Sequence, residues 1–160
     1  MYVSVGGNAV IKGSLIGGGT AAHNSTNNID GSTYVVVRSM QSVTDETVSL
    51  NSVVRGFIIG GSAYETNNTS SAAITGSTNV TIDLGTASGN FVKSIVGGSY
   101  SGGSGTYTIN GDSSVSITAA SAAVFTGAIY GGGYGTAGTS SVRGNSSLTL
   151  DGGAYTGALY

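Results

Sequence analysis

Apolar residues along this chain fall at alternate positions in short runs, and the runs recur in a fixed order. In Val80-Thr81-Ile82, Val115-Ser116-Ile117 and Leu148-Thr149-Leu150 the outer residues are apolar and the middle one is polar. That two-residue period belongs to a half-buried strand, with one face on a core and the other in solvent. Each run follows an apolar-x-Gly step and a polar triplet, over Ile29 to Val37, Ile74 to Ile82, Ile109 to Ile117 and Val142 to Leu150. Glycine stands two places after the first apolar residue in every copy, at Gly31, Gly76, Gly111 and Gly144. A second phrase has an apolar residue, three further positions, then an apolar pair running into glycines. It spans Ile11 to Gly18, Val54 to Gly61, Phe91 to Gly98 and Phe125 to Gly132, and begins again at Tyr155.

Aligning the phrases produces four inward columns. They are Val3, Val35, Val80, Val115 and Leu148; Val5, Val37, Ile82, Ile117 and Leu150; Ile11, Val54, Phe91, Phe125 and Tyr155; and Leu15, Ile58, Ile95, Ile129 and Leu159. The distance between equivalent residues falls from 45 (Val35 to Val80) to 35 and then 33. Repeats of this length without a helical pattern predict an all-β fold, a right-handed parallel β-helix (β-solenoid) with about three short strands per coil. Residues 1–160 then form a single solenoid domain of four to five coils, stacked at about 4.8 Å. Its corners are glycines, required either by positive φ or by close approach between coils. The chain opens and closes inside a repeat without a capping segment. The expectation is a fragment of a longer array, with uncapped ends that favour self-association.

The second coil is the longest, and the excess reads as an inserted loop over residues 38–53. It carries Arg38, Asp45 and Glu46, and inserted loops in solenoids often make contacts. A merely decorative loop fits the same residues.

Composition changes this picture in two ways. Glycine fills 29 positions, proline and cysteine are absent, and only 5 basic and 7 acidic residues are present. Low charge and small polar residues suit disorder, but the registered strand-like runs count against it. The net charge is −2, and the basic residues Lys12, Arg38, Arg55, Lys93 and Arg143 stand singly, so a nucleic-acid partner is not expected. No apolar run approaches the roughly 18 residues of a membrane span, so no membrane insertion of this segment is expected. A signal peptide is not visible after Met1.

Candidate chemistry is sparse. His23 is the single histidine, so no Ser-His-Asp arrangement with a spare base and no multi-histidine metal site is expected, and its polar stretch reads as a solvated loop. The carboxylates Asp30, Asp45, Glu46, Glu65, Asp83, Asp112 and Asp151 place no two acids in one column on adjacent coils, because Thr118 stands between Asp83 and Asp151. Their places beside glycines suit turns. Gly102-Gly103-Ser104-Gly105-Thr106 and Gly132-Gly133-Tyr134-Gly135-Thr136 resemble calcium-binding repeats but lack the acid. No catalytic residue, metal or cofactor is therefore expected.

Tyr64, Tyr100 and Tyr134 each follow a Gly-Gly pair by a few residues. They are candidates for stacking on a sugar or contacting a protein, against the alternative of a ladder that supports the loops. The outward column Ser4, Thr81, Ser116 and Thr149 suggests an ice-binding face, which Val36 interrupts. Asn-x-Ser/Thr triplets at Asn24, Asn67, Asn68, Asn79 and Asn145 are what this composition yields by chance.

The phrases Ile129-Tyr130-Gly131-Gly132-Gly133 and Asn145-Ser146-Ser147-Leu148-Thr149-Leu150-Asp151-Gly152-Gly153 resemble the repeats of large bacterial surface proteins, including autotransporter passenger domains and adhesins with β-helical stalks. The resemblance covers essentially the whole chain and is one of repeat style. It implies a secreted or cell-surface location and contact with a host glycan, a surface protein or further copies of the chain. It implies no catalytic residue. The expected function is an extracellular structural or adhesive module; a filament subunit stacking end to end is the alternative, and a polysaccharide-active enzyme stands behind both.

Overall fold

The computed structural model describes residues 1–6, 9, 11, 13–20, 24–38, 56–64, 69–86, 89–91 and 93–160. The first repeat supplies β1 (Tyr2–Val5), β2 (Leu15–Ile16) and β3 (Thr26–Ile29). The second supplies β4 (Thr33–Arg38), β5 (Ile58–Ile59), β6 (Ala63–Tyr64) and β7 (Ser71–Ile74). The third runs through β8 (Thr78–Asp83), β9 (Gly89–Phe91), β10 (Ile95–Val96), β11 (Tyr100–Ser101) and β12 (Thr106–Ile109). The fourth contains β13 (Ser113–Thr118), β14 (Ala123–Phe125), β15 (Ile129–Tyr130), β16 (Tyr134–Gly135) and β17 (Thr139–Val142). β18 (Ser146–Asp151) and β19 (Ala154–Tyr155) complete the set.

The fold is all-β, without a helix among the described residues. The strands form five sheets, ordered β1-β4-β8-β13-β18, β15-β10-β5-β2, β16-β11-β6, β17-β12-β7-β3 and β19-β14-β9. Each strand pairs in parallel with its equivalent one repeat away, an arrangement consistent with a β-solenoid. The inward columns fall in the expected register. Val3, Val35, Val80, Val115 and Leu148 align, as do Val5, Val37, Ile82, Ile117 and Leu150. Leu15, Ile58, Ile95, Ile129 and Leu159 form another line, and Phe91, Phe125 and Tyr155 a shorter one. Ile11 packs against the same core, and Val54 lies outside the described residues.

Among the described residues, the third and fourth repeats each contain five short strands rather than about three. The Gly-Gly corner separates two strands of only two residues, such as β10 and β11, which the sequence pattern merges with a loop. The segments Ser71–Ile74, Thr106–Ile109 and Thr139–Val142 lie outside the inward columns aligned from the sequence, yet they pair as β7, β12 and β17. A parallel ladder is built by backbone amides and carbonyls, so a polar segment held between paired neighbours joins the sheet.

Two devices hold successive repeats together at the corners. Along the column Gly17, Gly60 and Gly97, a Cβ would overlap the carbonyl oxygen of the glycine in the following repeat, Gly60, Gly97 and Gly131 respectively. Close approach therefore requires glycine here, whereas Gly31 at φ 103° meets the positive-φ requirement. At the neighbouring turn each side chain accepts the amide of the next repeat. Ser77 N donates to Ser32 Oγ (3.0 Å), Asp112 N to Ser77 Oγ (3.0 Å), and Asn145 N to Asp112 Oδ1 (2.8 Å).

Thr33, Thr78 and Ser113 stack at the first inward position of β4, β8 and β13, and all are buried. Thr33 Oγ1 donates to Gly60 O and Ser113 Oγ to Gly131 O, both at 2.6 Å, tying the first sheet to the glycine corner. Thr78 Oγ1 has no hydrogen-bond partner among the described residues.

Candidate functional site

Beside the main core lies a second, smaller apolar cluster. Ile59, Ala63 and Val96 are buried there, with Ile16, Phe57, Tyr100, Tyr130 and Tyr134 packed against them. It forms because side chains alternate across a strand: Ile58 and Ile95 enter the main core, so Ile59 and Val96 face away from it. The chain after the Gly-Gly corner returns as β6, β11 and β16 and covers them.

A line of aromatic rings borders this cluster. Phe57 stacks on Tyr100 (centroids 5.4 Å apart, planes 18° apart), and Tyr100 on Tyr134 (5.6 Å, 27°). Tyr134 stacks on Tyr130 (4.5 Å, 20°), and Tyr130 on Tyr160 (4.7 Å, 5°). Burial chiefly pushes the Tyr130 phenol above its ordinary range; the neighbouring Tyr134 and Tyr160 phenols and a hydrogen bond with Tyr134 push the same way. An open groove with a cavity volume of about 520 Å³ runs beside Tyr130, Tyr160, Leu148 and the glycines 131–133.

Among the expected contact residues, Tyr100 and Tyr134 are register partners and belong to this line. Tyr64 is offset by one place. The residue opposite Tyr100 is Ala63, and Tyr64 stands opposite Ser101. Phe57, Tyr130 and Tyr160 belong to the line and were not singled out from the sequence. One signal was available: Tyr130 and Tyr160 each follow an inward column residue, Ile129 and Leu159, and so share one outward position.

The stacking also bears on sugar binding. A sugar packs on the face of an aromatic ring, and the inner rings of this line turn both faces to each other. Along its inner rings the line therefore offers edges and hydroxyls rather than open faces.

Arg38 ends β4 in an exposed position, in register with Asp83. Asp45, Glu46, His23 and the rest of the inserted loop from 39 onward lie outside the described residues, as does Glu65. The described carboxylates serve turns and cross-repeat contacts. Asp30 accepts from Thr75 Oγ1 (2.8 Å), Asp83 from Gly85 N (3.1 Å) and Asp112 from Asn145 N. Thr118 separates Asp83 from Asp151 in the register. Asp151 faces Tyr155, whose phenol is pushed up mainly by burial and secondarily by that carboxylate. Among the described residues, no group of three or more His, Cys, Asp or Glu side chains is placed to hold a metal ion.

On the outward face of the first sheet, Ser4, Val36, Thr81, Ser116 and Thr149 stand in one line, so the hydroxyl column is broken at Val36. No helix among the described residues is long and apolar enough to cross a membrane. No family model, no curated protein and no solved structure matches this chain.

Proposed function

We propose that the five parallel sheets close into a right-handed β-solenoid, and that the chain serves as an extracellular structural or adhesive module. The observation that carries this reading is the continuity of the ladders. Side-chain columns and corner hydrogen bonds run from repeat to repeat, so each repeat is bound mainly to its neighbours. Such a body transmits load along its axis and presents the same surface at each step. The repeat style resembles that of adhesin and autotransporter stalks, which supports placement at a cell surface.

Self-assembly is a second reading. β1 and β18 carry the same inward columns, Val3 with Leu148 and Val5 with Leu150, so one edge of a copy matches the opposite edge of another. Sedimentation velocity and negative-stain imaging of the 160-residue chain separate the two: a stable monomer supports the module, and growing fibres support the filament. Turnover of any substrate in a polysaccharide panel would overturn both in favour of an enzyme.

A further inference from the structure

We propose that Tyr130 and Tyr160 form a site of oxidative phenol coupling that joins one repeat covalently to the next. Of the ring pairs in the line, theirs is the most nearly parallel, with centroids 4.7 Å and planes 5° apart. The backbone holds them side by side: Tyr160 N donates to Ile129 O and Gly131 N to Tyr160 O, both at 2.9 Å. Both rings border the open groove, and Tyr160 is 70% exposed in the 160-residue chain, so an oxidised haem at the surface of a peroxidase can take an electron from that ring, with Tyr130 stacked on it, and the groove leaves the rings room to turn edge to edge. The chain has no cysteine, so a covalent link between its repeats needs chemistry other than a disulfide.

The co-reactant is hydrogen peroxide acting through a haem peroxidase. Each phenol loses one electron and one proton to give a phenoxyl radical. The two radicals join at their ortho carbons, and the product regains aromaticity by moving each ortho hydrogen to its oxygen. One peroxide is reduced to two waters, and the protein loses two hydrogen atoms.

The test treats the dilute 160-residue chain with peroxidase and limiting peroxide. Dityrosine fluorescence, intact mass, denaturing electrophoresis and peptide mapping are read together. The expected product runs as a single chain, lacks two hydrogens and yields a linked peptide pair containing Tyr130 and Tyr160. Tyr130→Phe keeps the ring and the stack, and is expected to lower the within-chain yield several-fold, whereas Tyr34→Phe leaves it unchanged. The same reaction in denaturant is expected to lose the preference for this pair. Links formed mainly between chains, an unchanged yield in Tyr130→Phe, or the same pair distribution before and after unfolding would each overturn the proposal.

Discussion

Replacing Gly97 with alanine puts one methyl group into the corner where successive repeats come closest. The added Cβ overlaps the Gly131 carbonyl oxygen and stands 2.8 Å from Ser113 Oγ and 2.9 Å from Val115 Cγ2. Two of these neighbours are backbone or a buried β-branched side chain, so neither swings away. Regaining van der Waals separation requires a shift of roughly 1 Å. That shift strains the hydrogen bonds from Gly97 N to Tyr130 O (2.8 Å) and from Ser113 Oγ to Gly131 O (2.6 Å). Losing both costs about 1–3 kcal/mol, and overpacking adds about 1–3 kcal/mol. The stiffer unfolded chain returns about 0.4–1 kcal/mol. The expected net loss is about 3 kcal/mol on these terms. Gly13→Ala is the matched control, since among the described residues nothing lies within 4 Å of its added Cβ. It should be neutral or slightly stabilising. Urea unfolding followed by circular dichroism measures both. Equal stability of the two variants would refute the close-packing account of the glycine column.

Ile117 is fully buried in the first sheet, so Ile117→Ala should cost about 2–5 kcal/mol, while Leu150→Ala at a half-buried position of the same column should cost less in the same unfolding assay. Ser113→Ala removes the donor to Gly131 O and should destabilise by about 1–3 kcal/mol, detectable as a lower urea midpoint. Burial raises the folded-state Tyr130 and Tyr155 phenol pKa values. Their contribution is therefore complete below the unfolded value of about 10 and is lost as pH rises through the folded values. Stability should fall on the alkaline side, and Tyr155→Phe should weaken that fall in a pH series of denaturation curves. Tyr100→Ala combined with Tyr134→Ala opens the second apolar cluster, so it should lower the unfolding midpoint and raise binding of a hydrophobic dye; an unchanged midpoint would remove the supporting role assigned to the ring line.

The registers of the first sheet were legible because a two-residue period and a constant glycine spacing leave one alignment of Val35 with Val80 and Val115. The glycine corners were legible as corners, but their cause was open between backbone conformation and close approach. Gly97 shows close approach and Gly31 positive φ, a difference that depends on what faces each residue. The strand Ser71–Ile74, built largely of small residues, and the two-residue strands around Gly97-Gly98 were hidden, because segments so short or so rich in alanine carry little side-chain periodicity.

The candidate site divides in the same way. Tyr100 and Tyr134 could be paired by their distance from Gly-Gly, since both lie on equivalent strands of one sheet. Tyr64 departs from that rule because its backbone is displaced by one place, opposite Ser101 rather than Tyr100. Phe57, Tyr130 and Tyr160 join the line from other segments. The sequence alone therefore determined the parallel columns, because repetition at a fixed spacing is a one-dimensional property. Only the tertiary structure decided the second cluster and its stacked rings, because the angle at each glycine corner, rather than any spacing, brings side chains of different sheets together.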